Sequence, residues 1–375
     1  MKKYEFLYRL QHSLASLPEA DRTGHCGFYE ELIDDMAEDG IPEEEAVARL
    51  GDPEELAGSI LRQEGVTTEK ASSGGWRETL SRLLQTTVNA VRESAGPRES
   101  YEQRVDGYAI RAVEICWNAG DVTIRGESRG DVLLSESRVP EDPALVVEVL
   151  DGVLHIDAAP EGQRCRREKT LSLALPGELA ETLERCAVTT ASGDVTIRGL
   201  RAGMLSAGSR SGDLQITDSA AGTASFSSAS GDMHLELEAD DAVIRTVSGD
   251  VRLHAGRIRR IDLASTSGDL EILGDCETLQ VKTVSGDVDW SGMADRVSLS
   301  TVSGDCDARL RGCPARLRAV TVSGEVELQL PSGSRCPYEF TSRSGELESH
   351  GVQAFPSPDP VFSFKTASGD VTIRG

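Results

Sequence analysis

The chain of 375 residues carries 39 Lys and Arg against 63 Asp and Glu, a formal net charge of −24, and 38% of it is hydrophobic. That length leaves room for two or three domains, and that charge opposes binding to nucleic acid or to an anionic membrane, which are themselves negative. No run of about 18 uncharged apolar residues reads as a membrane span, and Met1-Lys2-Lys3-Tyr4-Glu5 lacks the apolar stretch of a secretory signal; the expected location is cytoplasmic, at most peripheral to the membrane.

Residues 1–64 read as a small acidic bundle of four short helices, with 16 Asp and Glu against 6 Lys and Arg, a balance of −10. Leu7, Leu10, Leu14 and Leu17 mark one helical face, and Phe28, Tyr29, Leu32, Ile33 and Met36 another. Asp52-Pro53-Glu54-Glu55 opens the last helix, with Asp as its N-cap and Pro at the first position; Leu50-Gly51 closes the one before. The order Phe6-Leu7, Leu17-Pro18-Glu19, Tyr29-Glu30-Glu31 and Leu50-Gly51-Asp52-Pro53-Glu54-Glu55-Leu56-Ala57 resembles the helical signalling domain called HAAS. That resemblance implies a protein-interaction role, with a PadR-type regulator or an envelope sensor as the partner.

Residues 65–75 are rich in Ser, Thr and Gly and read as a flexible linker. Trp76, Leu80, Leu83, Leu84, Val88 and Val91 then fall at helical spacing, completing a 65–99 connector. This helix is expected to pack over the open first coil of the β region beyond it; lying on a membrane surface or binding a partner are the alternatives.

Residues 100–188 form an irregular β lead-in. Ala119-Gly120-Asp121-Val122-Thr123-Ile124 is a first echo of a repeat and Gly130-Asp131-Val132-Leu133 a second, while Val146 to Ile156 reads as a strand pair across Asp151-Gly152. From residue 189 to 375 the repeat is regular. Ala191-Ser192-Gly193-Asp194-Val195-Thr196-Ile197-Arg198-Gly199 returns unchanged as Ala367 to Gly375. Between these copies the Ser-Gly-acid core recurs with Gly at 212, 231, 249, 268, 286, 304, 324 and 345. Period-two apolar residues flank each core, as in Leu279, Val281 and Thr283 before it and Val288 and Trp290 after it.

Each unit is therefore a strand, a tight Gly corner, a strand and a looser corner. The fold expected is multidomain α + β: the helical bundle, then a right-handed parallel β-helix (β-solenoid) of two-strand coils about 19 residues long, stacked ~4.8 Å apart. Leu171-Ser172-Leu173-Ala174-Leu175-Pro176 followed by the Ser-Gly-Asp-Val units resembles, over roughly residues 105–375, the bacterial β-strand-repeat family that goes by the name putative adhesin. That resemblance implies the same β-helix-like fold and brings no catalytic residues with it.

No catalytic site and no cofactor are expected. The eight cysteines stand singly, without a Cys-x-x-Cys pair, and read as reduced thiols. The corner acids should form one column, in which Asp250, Asp269, Asp287 and Asp305 are candidate calcium ligands, with turn capping as the simpler role. Arg129-Gly130-Asp131 matches an integrin-binding tripeptide by chance, in a chain full of Gly-Asp turns. Val247, Val284, Val302 and Val322 each precede a corner Ser and should point outward, making an aliphatic interaction face. The chain stops inside its last strand, so an unpaired edge is expected, with end-to-end self-association or capping by a partner. Together these features describe a non-catalytic scaffold or sensor; a cell-surface adhesin and a polysaccharide-active enzyme are the alternatives.

Overall fold

The structure, a computed structural model, describes residues 2, 3, 6, 9, 12, 13, 99–139, 141–160, 168–357 and 361–375. It divides into two compact units, Met1–Ser81 and Arg82–Gly375. In the first, Lys3, Phe6, Arg9, His12 and Ser13 are helical, Phe6 is fully buried, and its N–H donates to Lys2 O at 3.0 Å. The other helices expected within 1–64, the linker over 65–75 and the helix over 76–91 lie outside the described residues.

The described residues of the second unit form one sheet of 25 strands wound into a stack of rungs. Equivalent residues pair in parallel: Leu263 lies beside Val281, Val281 beside Leu299, and Leu299 beside Ala319. After the corner, Val251, Leu270, Val288, Cys306 and Val326 stack in the same way. Alternation then sends one set of side chains into a continuous apolar core and the other outward. Each fully buried Val, Leu or Ile stabilises the stack by ~1.5–3 kcal/mol before conformational entropy is set against it. A buried column of hydroxyls runs beside the aliphatic ones, through Thr190, Ser209, Ser228, Thr246, Ser265, Thr283, Thr301 and Thr321.

Two constraints hold glycine at the main corner. Gly212 has φ +142°, and a Cβ there would stand 2.2 Å from Gly193 O; Gly249 has φ +129° and would meet Gly231 O at 2.3 Å. The corners therefore stack backbone on backbone, closer than any side chain permits. Gly120 belongs to this column, since Gly193 seats on it, whereas Gly130 has open space around it; the second echo read from the sequence is not a corner.

At both ends the order of rungs in space departs from their order in sequence. The strand Ala112–Ala119 lies between Val153–Asp157 and Leu183–Ser192, so the later segment folds back outside the earlier one. Val146–Leu150 closes that end antiparallel to Val153–Asp157, across a turn with positive φ at Asp151 and Gly152, which is the hairpin the Asp-Gly pair predicts.

At the other end the last strands in sequence are interior. Phe362–Thr366 pairs with Arg316–Thr321 on one side and Arg335–Ser342 on the other, and Val371–Arg374 lies between Val326–Gln329 and Leu347–His350. The unpaired terminal strand expected from the sequence is thus corrected. Burial is the physical reason: Phe362 and Phe364 are fully buried, with Phe364 set against Ala319, while the residues facing them on the segment displaced outward, Tyr338 and Phe340, are half-buried. The most apolar strand takes the inner slot.

Candidate interaction faces

The corner acids are aligned by the glycines beside them, and their carboxylates point along the stack. Asp269 N–H donates to Asp250 Oδ1 at 3.0 Å, Asp287 N–H to Asp269 Oδ1 at 3.0 Å, Asp305 N–H to Asp287 Oδ1 at 2.9 Å, and Glu325 N–H to Asp305 Oδ1 at 2.8 Å. The ladder begins at Asp121, which accepts from Asp194 N–H, and in the final rungs Glu346 N–H donates to Asp370 Oδ1. Each Asp therefore caps the next rung's backbone rather than its own turn, which offsets the repulsion between stacked carboxylates. Among the described residues no group of three or more His, Cys, Asp or Glu is disposed to hold a metal ion.

Immediately before the corner, Thr283, Thr301 and Thr321 stack, which brings Val284, Val302 and Val322 into one outward column. Val284 and Val302 are half-buried and Val322 is exposed. Val247 stands on the same column but is separated from Val284 by Thr266, so the aliphatic ladder has three contiguous members and one outlier. Around it lie residues that the sequence reading passed over: Lys282, Arg296, Arg316 and Arg318, with Lys365 brought in by the interior placement of the last rung. Their signal was present, because alignment on the corner Ser puts each of them at an odd, outward offset.

The strands after the corner present a different surface. Glu271, Asp289, Asp307 and Glu327 follow one another in register. Arg309 is shared between Asp289 at 3.4 Å and Asp307 at 3.8 Å, and Arg374 meets Glu327 at 2.6 Å. Partial burial, then Asp289 and Glu327, hold the Asp307 carboxyl above the usual carboxylate range despite Arg309.

Elsewhere several ionisable groups are tied down. Lys169, fully buried, places Nζ 2.6 Å from Glu136 Oε1 and 2.5 Å from Ala158 O, beside the Trp117 ring. Arg129 and Asp131 of the tripeptide pair with each other at 2.8 Å, so their charges are directed inward to the turn. Burial pushes the Cys186 and Cys306 thiols up to about 12, which leaves them protonated and unreactive at neutral pH. An open groove of about 720 Å³ follows the looser corner, where Arg201, Arg257 and Arg259 alternate with Glu238, Asp240 and Glu277. Among the described residues no helix is long and apolar enough to cross a membrane.

A family model matches the repeat in two overlapping placements, residues 162–291 and 228–374, as a sequence that repeats along its length should allow. The chain belongs to the Toastrack DUF4097 family. Preceding the Toastrack region, residues 5–59 match the HAAS family. Among solved structures the chain is similar to a putative adhesin from Bacteroides fragilis NCTC 9343, at 16% identity over 74% of this chain and 96% of that one, with a TM-score of 0.38. It is similar also to a putative lipid binding protein from Parabacteroides distasonis ATCC 8503, at 11% identity over 74% and 97%, with a TM-score of 0.38. A putative adhesin from the same strain matches at 14% identity over 73% and 97%, with a TM-score of 0.34. No curated protein matches the chain.

Proposed function

We infer that the Toastrack stack is a non-catalytic binding scaffold whose working surface is the face before the Ser-Gly-acid corner. The observation that carries this reading is the column Val284, Val302 and Val322, held in register over successive rungs, with Lys282, Arg318 and Arg316 further back on the same outward face. A flat ladder of that kind supplies area and periodicity to a partner rather than a reaction centre, and apolar residues ringed by charge are the pattern of a protein contact. The HAAS-matched segment is the second contact, made with a PadR-type regulator or an envelope sensor, so that the chain couples a partner on the stack to a signalling protein in the cytoplasm.

The test uses the whole chain in its own cell, with a photo-crosslinking amino acid placed at Val302 or, as a control, at Gln215, an exposed position on a strand after the corner. The reading predicts discrete adducts from position 302 and none from 215. No adduct from 302 would sink it.

A further inference from the structure

This inference rests on the face just described being an interaction surface, and it names what that face takes. In the four successive rungs led by Thr278, Arg296, Arg316 and Phe362, the outward positions of the strands before the corner carry Lys282, Arg296, Arg316, Arg318 and Lys365 and no acid. Glu277 and Asp295, which immediately precede Thr278 and Arg296, lie on the looser corner. In the same rungs the strands after the corner carry Asp289, Asp307 and Glu327, flanked by the corner acids Asp287, Asp305 and Glu325, with Arg309 and Arg374 as the opposing charges. Over these four rungs a chain of net charge −24 thus has its cations without acids on one face and an excess of acids on the other.

We propose that the two faces are the two halves of a contact between copies of this chain, the basic, valine-bearing face of one seated on the acidic face of the next. The carboxylates of Asp289, Asp307 and Glu327 recur rung by rung, ~4.8 Å apart, Arg296 and Arg316 do the same on the basic face, and Lys282, Arg318 and Lys365 spread the positive charge across the other outward columns of that face. Val284, Val302 and Val322 form the column of that face next to the corner, with the cations further back on the same strands, and lose water when the faces meet. On the acidic side Leu273, which is exposed, follows Glu271 by two residues and gives that face an apolar edge of its own. The net negative charge of the whole chain does not forbid this, because charges beyond about 8 Å are screened at physiological salt while those brought together in the contact are not. Because the two surfaces differ, the contact is heterologous and adds copies in a row.

Sedimentation velocity of the full chain over a range of concentrations and salt tests the proposal. Reversible self-association that weakens as salt rises is expected. Arg316→Glu with Arg318→Glu, and separately Asp289→Arg with Asp307→Arg, should each weaken it by roughly tenfold or more, and mixing the two variants should restore it, since each reversed face then finds an opposite one. All four positions point outward, and thermal melts no lower than that of the wild-type chain would show that the fold survives. A wild-type chain that stays monomeric, association that strengthens with salt, or variants that associate as before would overturn the proposal. Adducts from position 302 to a different protein, with a monomeric chain, would remove the self-contact and leave the binding-scaffold reading standing.

Discussion

The hydroxyl column separates two kinds of corner. Thr283 Oγ1 is buried and finds no hydrogen-bond partner, whereas Thr321 Oγ1 accepts the N–H of Gly324 at 2.9 Å. Thr283→Val should therefore be within about 0.5 kcal/mol of neutral, or stabilising, because it removes a polar atom that gains nothing where it sits. Thr321→Val should cost ~1–2 kcal/mol, because it orphans a buried N–H. Chemical denaturation of the two variants decides this, and equal losses would contradict it. Asp307 offers a second test. Its carboxyl is raised in the fold, so the ionised form is disfavoured there, and the penalty is present above the folded pKa and gone below the ordinary carboxylate value near ~4. Asp307→Asn should raise the melting temperature at neutral pH, with the gain shrinking as pH falls; a gain that grows towards acid would reverse the sign. At this scale the sequence was half legible. The glycine corners and the outward valines follow from pattern, but an Asp that caps the next rung, 18 or 19 residues away, looks the same in sequence as one that caps its own turn.

Among the elements, the identical nonapeptides Ala191–Gly199 and Ala367–Gly375 show where local sequence stops deciding structure. Gly193 has φ +117° and donates its N–H to Ser211 O of the next rung at 3.0 Å. Gly369 is outside the left-handed region and donates to Thr366 Oγ1 at 3.0 Å within its own turn. The same nine residues take two forms, and Gly369 shares its form with the corners it lies between, Gly324 and Gly345. The one sequence signal is the interval, which lengthens from 18 or 19 residues to 20, 21 and 24 over the last three corners. The order of rungs has a clearer cause, and a test. Phe364→Ala should cost ~3–5 kcal/mol, as for a fully buried aromatic, and Phe340→Ala distinctly less, since Phe340 lies half-buried in the outer slot. Equal costs would mean that the two strands share one environment. Repeat spacing announces that the rungs stack, but which rung neighbours which depends on competing burial, a comparison between distant segments that periodicity does not contain.

Across the whole molecule, the stack was legible because its unit repeats in register: aliphatic columns, glycine corners and outward positions all follow from alignment on one serine. The faces were only partly legible. Lys365 joins Arg318 and Lys282 on one surface because the last rung inserts beside the rung of Arg316–Thr321, not because of its place in the chain. Likewise the ion pair of Lys169 with Glu136 joins residues 33 apart through a lead-in whose order in space is not its order in sequence. The account depends on rung order being set by burial, and native-state hydrogen exchange reads that directly. It predicts that the amides of Val371–Arg374, at the very end of the chain but paired on both sides, exchange as slowly as those of interior rungs, and that Leu347–His350, paired on one side, exchange much faster. Fast exchange in Val371–Arg374 with protection in Leu347–His350 would contradict it.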